Sequence, residues 1–136
     1  MKAVLAIDIG TSSAKAILLS ETKEVLAEAS SSYPTYTPKA TWIEQNPEDW
    51  WQAFVTSVRQ CLAQRNDIEI SAIGVSGHMS VMLPLDKAMN PLRPSITIAD
   101  TRCVAETTWL NENFASEISS TTGNIALTAF TLPKIL

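Results

Sequence analysis

Residues 3–19 read AVLAIDIGTSSAKAILL, and the fold follows from this stretch. Residues 3–9 form a compact apolar run that predicts a buried strand, and residues 14–19 form a second run of strand length. The polar Gly10–Ser13 segment between them is typical of a tight turn. After a polar turn at residues 21–23, residues 25–33 predict a third strand. Three short strands joined by tight turns indicate an antiparallel meander.

The remaining chain predicts a mixture of helices and strands. Asn46 can cap a helix that begins at Pro47, and apolar residues recur at helical spacing to about residue 65. The other predicted elements are an ordered loop at 33–47, strands at 70–76, 81–85 and 96–99, a connection at 86–94, and a helix at 100–114. A meander followed by an α/β crossover fits a ribonuclease-H-like α/β fold, with a mixed sheet and flanking helices.

Composition narrows the class of protein. The 136 residues carry a net charge of −4, and their basic residues are scattered, so we expect no nucleic-acid partner. Cys61 and Cys103 lack metal-ligand spacing and are predicted to be buried, unpaired thiols. No stretch has the apolar length of a membrane span, and the first residues lack the features of a signal peptide. We therefore expect a cytoplasmic protein with no membrane partner.

The turn after the first strand carries the chemistry of a phosphate site. Gly10 is expected to turn the chain where a side chain would obstruct, leaving backbone N–H groups open to an anion. Asp8 is a hard oxygen ligand suited to Mg²⁺, and Lys15 can offer a point charge to a terminal phosphate. Hydroxyl donors follow the glycine at Thr11, Ser12 and Ser13. The alternative is a β-hairpin with a polar turn, and the segment is not a Walker A loop.

Five motifs, in order, resemble the FGGY family of carbohydrate kinases, within the actin-like ATPase superfamily. They are IDIGTSSAKA at 7–16, WIEQNPEDWW at 42–51, IGVSGHMS at 73–80, IADTR at 98–102 and TGNIALTAFTLPKIL at 122–136. The last motif is most similar to xylulokinases, and gluconokinases come next. The resemblance implies an ATP-dependent kinase that phosphorylates a hydroxyl of a small-molecule sugar, with ATP and Mg²⁺ as cofactors.

The resemblance also implies roles by position. Asp8 would orient Mg²⁺ or its waters. The residues implied to face the terminal phosphates of ATP are Gly10, Thr11, Ser12 and Lys15, with Ser13 beside them. The residues implied to lie at the sugar are Gly77, His78, Met79 and Ser80, and Asp100 joins them as a substrate-side candidate. Ala129 stands where glycerol kinases carry an aromatic residue, which argues against a glycerol kinase.

Two departures weaken an assignment to xylulose. Xylulokinases typically have a histidine where this chain has Ser80, and a tryptophan where it has Ile98. A serine side chain reaches less far towards a sugar hydroxyl than a histidine side chain does.

Other residues leave alternatives open. His78, the only histidine, can contact substrate or be structural, and nothing near it in sequence suggests a metal site. Asp100 can pair with Arg102 near a cleft or cap the following helix. Trp42, Trp50 and Trp51 suggest either a sugar platform or core packing, with packing favoured for at least one of the adjacent pair.

The resemblance places the family's catalytic base, an aspartate, after residue 136, together with a second phosphate loop and the adenosine site. We therefore expect residues 1–136 to be the amino-terminal part of the first kinase domain, an incomplete first lobe without the second lobe. No catalytic residue is then expected in this chain. The alternatives are a gluconokinase-like sugar-acid kinase and a non-catalytic module that associates with itself, for instance as a homodimer.

Overall fold

The computed structural model describes all residues from 1 to 136. The elements, in chain order, are β1 (Lys2–Ile9), β2 (Ser13–Ser20), β3 (Val25–Ser32), β4 (Glu44–Gln45), α1 (Pro47–Leu62), β5 (Glu69–Gly77), β6 (Ser95–Ile96), α2 (Val104–Thr122) and α3 (Thr131–Ile135). They form two compact units. The first unit contains Met1–Pro34 and Pro47–His78, and the second contains Thr35–Asn46 and Met79–Leu136.

The first unit is a four-stranded mixed sheet with the order β3-β2-β1-β5. β1 pairs antiparallel with β2, β2 pairs antiparallel with β3, and β1 pairs parallel with β5. The predicted meander is therefore confirmed, as is the ribonuclease-H-like arrangement of a mixed sheet. In the parallel pair, Asp8 is the register partner of Ser76 and Ile9 that of Gly77, so the carboxyl ends of β1 and β5 lie side by side.

One face of this sheet is buried against α1. The core cluster contains alternate residues of the strands together with one helix residue: Ala3, Leu5, Ile7, Ala16, Leu18, Ala27 and Cys61. The alternation follows from the two-residue period of a strand, which sends every second side chain to the same face. Each buried Leu or Ile contributes about 1.5–3 kcal/mol of transfer free energy, so this face supplies much of the unit's stability.

α1 begins at Pro47 as predicted, with Glu48 and Asp49 at the positive end of its dipole. It ends at Leu62, after which tighter turns continue to Arg65. Trp50 packs against a small cluster formed by Ala14, Tyr33 and Ala53, so the prediction that one of the adjacent tryptophans packs in the core is confirmed.

β5 is an edge strand with little cover. Ile73 and Val75 point to the same face and are 63% and 69% exposed. An exposed edge of this kind offers unpaired backbone groups and apolar side chains to another strand or a covering element.

The second unit has little sheet and two helices. β4 pairs antiparallel with β6, and isolated bridges join Met82 to Ile96 and Leu85 to Pro91. The predicted strand at 81–85 is therefore wrong. Pro84 interrupts it, because a proline has no N–H to donate to a ladder. The predicted strand at 96–99 is reduced to Ser95–Ile96.

The helix predicted at 100–114 is displaced. α2 begins at Val104 and continues past a kink at Phe114, whose φ is −135° and ψ is 18°. It ends at Thr122, and the next residue, Gly123, caps it with a φ of 72° and an N–H that donates to the carbonyl of Ser119. Both cysteines are buried and unpaired, as predicted. None of the three helices is both long enough and apolar enough to cross a bilayer.

Candidate functional site

The Gly10–Ser13 bend is a closed turn held by its own backbone. The N–H of Gly10 donates to the carbonyl of Ser13 at 3.0 Å, and the N–H of Tyr33 donates to the carbonyl of Ser12 at 3.1 Å. The Tyr33 hydroxyl donates to the carbonyl of Gly10, and it lies 3.4 Å from that of Ser13. Tyr33, at the end of β3, therefore braces the bend from beneath.

One detail of the glycine argument is wrong, and another does not hold for the N–H of Gly10 itself. A Cβ placed on Gly10 would lie 3.5 Å from Asp8 Oδ2 and 3.6 Å from the carbonyl of Ser13, which is ordinary contact. A Cβ at this position would therefore not obstruct the turn. The Gly10 N–H is also not open to an anion, because it is used within the turn. What the glycine does provide is free space beside the Asp8 carboxylate.

Asp8 lies exposed at the carboxyl end of β1, and its carboxylate has no hydrogen-bond or ion-pair partner. Its register partners are Lys15 on β2 and Ser76 on β5. Lys15 Nζ lies 3.5 Å from the Glu28 carboxylate, and both side chains are largely exposed. An exposed pair of this kind contributes little stability, so Lys15 can exchange Glu28 for another anion at small cost.

Gly77 is the last residue of β5 and His78 follows it, at the same edge of the sheet as the bend, because β1 and β5 are parallel. Within the first unit, Asp8, the bend and these two residues are thus neighbours, although the sequence separates them by nearly seventy positions. Gly77 has open space around its Cα. Thr11 and Ser12 are exposed at the turn, and Ser13 is the first residue of β2.

The other candidates on the sugar side belong to the second unit. Met79 is exposed, and Ser80 is half-buried with a φ of 55°. This left-handed conformation is uncommon for a residue with a Cβ. The carbonyl of Ser80 lies 3.4 Å from Nζ of Lys134, a buried lysine that sequence reasoning did not single out.

Asp100 is buried, with 0% of its surface exposed, and lies in a network of charges. Its carboxylate accepts hydrogen bonds from the backbone N–H groups of Ile43 and Arg102, and from the Arg102 guanidinium at 2.7–3.0 Å. Of the two alternatives left open by the sequence, the pairing with Arg102 is the one observed. The cap alternative is wrong, since α2 begins at Val104 and its N-cap residue is Cys103.

Burial alone would raise the pKa of Asp100, but the hydrogen bonds from Arg102 and from the two backbone N–H groups outweigh it and lower the pKa. The Arg102 guanidinium also bonds Glu44 at 2.7 Å and lies 3.8 Å from the Trp42 ring centroid. Arg93 pairs with the same Glu44 carboxylate. Trp42 therefore stacks on a cation, and Asp100 is turned into the protein.

Comparison with known proteins shows the family to which the chain belongs. The family model described as "FGGY family of carbohydrate kinases, N-terminal domain" matches residues 3–136. The chain belongs to the FGGY family of carbohydrate kinases. The fold of this FGGY domain is accordingly that of the actin-like ATPases.

Two relatives and one solved structure that are similar to this FGGY domain are also carbohydrate kinases. The FGGY domain is 39% identical to a xylulose kinase of Klebsiella pneumoniae over 97% of this chain and 27% of that protein. It is 41% identical to a gluconokinase of Bacillus subtilis over 73% of this chain and 19% of that protein. A xylulose kinase structure from Rhodospirillum rubrum superposes with a TM-score of 0.92 at 29% identity, covering 98% of this chain and 28% of that one. The FGGY domain thus spans about a quarter of the length of these relatives.

The residues that could hold a divalent cation are few. No group of three or more His, Cys, Asp and Glu residues has the arrangement of a metal cage. Asp8 offers one exposed, unpaired carboxylate, and Gly10 leaves space beside it. Mg²⁺ commonly binds proteins through one or two carboxylates plus substrate phosphates and waters, and the Asp8 carboxylate fits that mode.

Sequence reasoning missed three residues of this FGGY domain that organise the site regions. Tyr33 braces the bend, Glu44 joins two arginines, and Lys134 binds three carbonyl oxygens. The sequence offers only a weak indication of these three residues. Lys134 was visible as a lone cation in the apolar run ALTAFTLPKIL, and Glu44 as an acid next to Ile43.

Proposed function

We propose that this FGGY domain is the first part of an ATP-dependent carbohydrate kinase of the xylulose kinase type, located in the cytoplasm. The observation that carries the proposal is the free Asp8 carboxylate. It lies exposed where the Gly10–Ser13 bend and the end of β5 meet, within a domain whose family phosphorylates carbohydrates. Residues 1–136 supply binding groups, and the catalytic base is expected in the portion that the longer relatives have in addition.

In this proposal the bend receives the terminal phosphates of ATP. Thr11 and Ser12 expose hydroxyl groups that can donate to phosphate oxygens, and Tyr33 fixes the bend that carries them. Lys15, held only by an exposed ion pair, can turn towards the added negative charge. Positioning and charge neutralisation are the main requirements of phosphoryl transfer, and these groups meet part of both.

Asp8 would hold Mg²⁺, directly or through its waters. When bound, the ion neutralises charge on the phosphate oxygens and orients them. The domain's own contribution is a carboxylate fixed at the end of a buried strand, with no competing partner and with free space next to it.

The proposed acceptor is a sugar hydroxyl, presented by Gly77, His78, Met79 and Ser80. The identity to a xylulose kinase over 97% of the chain supports a ketose. The 41% identity to a gluconokinase supports a sugar acid as the second candidate. Ser80 and Ile98, which depart from the xylulokinase pattern, leave room for that alternative. Phosphorylation of a panel that contains xylulose and gluconate distinguishes the two.

The test of the proposal is Asp8→Asn in the intact kinase, in which this domain is followed by the portion that its relatives have. We expect kcat to fall on the order of a hundredfold, because charge stabilisation at the phosphates is lost. The KM for sugar should change by less than about twofold, because Asp8 makes no sugar contact in this proposal.

The matched control is Glu21→Gln, which removes an exposed carboxylate in the turn after β2, at the far end of that strand from the bend. It should leave both constants unchanged. An equal loss of sugar binding and turnover in Asp8→Asn would contradict the metal role. If the unaltered protein phosphorylates neither ketoses nor sugar acids, the kinase proposal itself fails.

A further inference from the structure

The second unit contains a buried lysine that forms no ion pair with a carboxylate. Lys134, on α3, has only 7% of its surface exposed. Its Nζ donates to the carbonyl of Thr97 at 2.8 Å, that of Ala129 at 3.0 Å and that of Ser80 at 3.4 Å. A lysine ammonium has three N–H donors and no acceptor, so these contacts use its whole capacity.

Three separate segments meet at this ammonium. Thr97 follows β6, Ala129 precedes α3, and Ser80 ends the GHMS motif that is proposed to face the sugar. No other side chain bonds any two of these three carbonyl groups. Desolvating a charge is costly, and a methionine of similar length would fill the same volume without that cost. Packing alone therefore gives no reason for a lysine at this position.

Ser80 supplies a reason. Its left-handed backbone, with a φ of 55°, is disfavoured for any residue with a Cβ and needs support from its surroundings. The backbone on its carboxyl side is held by the bridge between Met82 and Ile96, whose N–H and C=O groups bond one another at 2.8 and 2.9 Å. Lys134 is the only side chain that bonds the Ser80 carbonyl itself.

We propose that Lys134 is a positioning residue, whose buried ammonium fixes the Ser80 backbone against the Thr97 and Ala129 segments and so preforms the sugar-binding surface. This inference rests on the proposed function, because it assumes that Met79 and Ser80 face the sugar. A residue that only stabilised the fold would affect the binding of both substrates when it is lost. Loss of Lys134 should instead weaken the binding of the sugar and leave the binding of the nucleotide unchanged.

The charge state of Lys134 agrees with this arrangement. Burial lowers its pKa, and the guanidinium of Arg102 lowers it further, whereas Cys103 and Asp100 act in the opposite direction. A lysine that keeps three carbonyl partners despite this cost is one whose contacts matter to the backbone around it.

The first experiment compares Lys134→Met with Lys87→Met, at an exposed lysine of the same unit, in the intact kinase. We expect Lys134→Met to raise the KM for sugar about tenfold, as expected for a binding surface that is no longer held in place. The KM for Mg·ATP should stay within about twofold, and Lys87→Met should change neither. Equal increases in both constants, or an unchanged KM for sugar, would overturn the inference.

A double-mutant cycle with Ser80→Gly tests the link to the backbone and needs no enzymatic activity. Glycine adopts a positive φ without strain, so Lys134→Met should destabilise the Ser80→Gly protein less than it destabilises the original protein. Thermal unfolding of the four proteins measures the coupling. Additive effects would show that Lys134 does not support Ser80.

If Lys134→Met does not fold, Lys134→Arg tests the positioning role of Lys134 instead. Arginine keeps the charge, but its planar donors cannot point at the same three carbonyls. We expect a folded protein whose KM for sugar rises about threefold, and an unchanged KM would overturn the inference. If the unaltered protein phosphorylates no sugar, the proposed function fails while the unfolding cycle still tests the role of Lys134.

Discussion

Tyr33 is the side chain on which the shape of the Gly10–Ser13 bend depends. It is buried against Ala14 and Ala53, and its hydroxyl donates to the carbonyl of Gly10. Burial raises the pKa of Tyr33, and the charge of Asp8 adds to that effect, so the hydroxyl keeps its proton at neutral pH and remains a donor. The bend therefore has a fixed support in the Tyr33 hydroxyl.

Tyr33→Phe removes this donor and keeps the packing of the ring. We expect a loss of about 1 kcal/mol in the free energy of unfolding, because the Gly10 carbonyl loses a hydrogen bond. In the intact kinase the KM for ATP should rise while the KM for sugar stays constant. Tyr36→Phe, at a more exposed tyrosine, is the control. A rise in both constants for Tyr33→Phe would mean that the hydroxyl supports the fold as a whole and not the bend in particular.

Among the elements, the strands built from compact apolar runs and the helix with a clear start were predictable. β1 and β2 each contain an apolar run of strand length, and α1 has Pro47 and two acids at its beginning. Local patterns determine such elements, so their bounds were within a few residues of the prediction.

The second unit was less predictable, because side-chain charges organise it more than backbone ladders do. Glu44 lies 58 residues from Arg102 in the sequence, and the meeting of these two side chains depends on tertiary structure that no local period records. The same holds for the candidate site. The bend could be identified from IDIGTSS, whereas the internal use of the Gly10 N–H and the brace from Tyr33 depend on the fold.

The network that joins these elements predicts a pH dependence. Asp100→Asn should destabilise the protein at neutral pH by about 3 kcal/mol, because the amide offers Arg102 a donor where it needs an acceptor and leaves a buried cation partly uncompensated. The folded-state pKa of Asp100 lies below its usual value. The stability that it contributes is therefore fully present above its unfolded pKa, near about 3.9, and is lost as the pH falls through the folded value.

Chemical unfolding of both proteins from about pH 7, above the usual pKa of Asp, to about pH 2.5, below it, measures this dependence. The penalty of Asp100→Asn should be constant down to about pH 4 and should shrink below it. Glu112→Gln, an exposed acid on α2, should show no such change. A penalty of the same size at both ends of the range would show that Asp100 acts through packing and not through its charge.

At the scale of the whole molecule, each unit exposes large apolar side chains. Ile73 and Val75 lie on the β5 edge, and Trp109, Phe114 and Leu132 line an apolar groove of about 470 Å³ on the second unit. The relatives are about four times as long as this chain, so in the proposed intact kinase the additional portion has apolar surface to cover.

The chain of 136 residues, studied without that portion, should associate through β5. An uncovered edge strand with exposed branched side chains is a template for pairing with a second copy. Light scattering after gel filtration should detect concentration-dependent dimers or larger species. Val75→Lys should weaken the association by about tenfold, because the interface would have to bury a charge. Val25→Lys is the matched control, since Val25 is a comparably exposed valine at the start of β3. If both substitutions weaken association equally, or if the unaltered chain stays monomeric at high concentration, then β5 is not the surface that requires a partner.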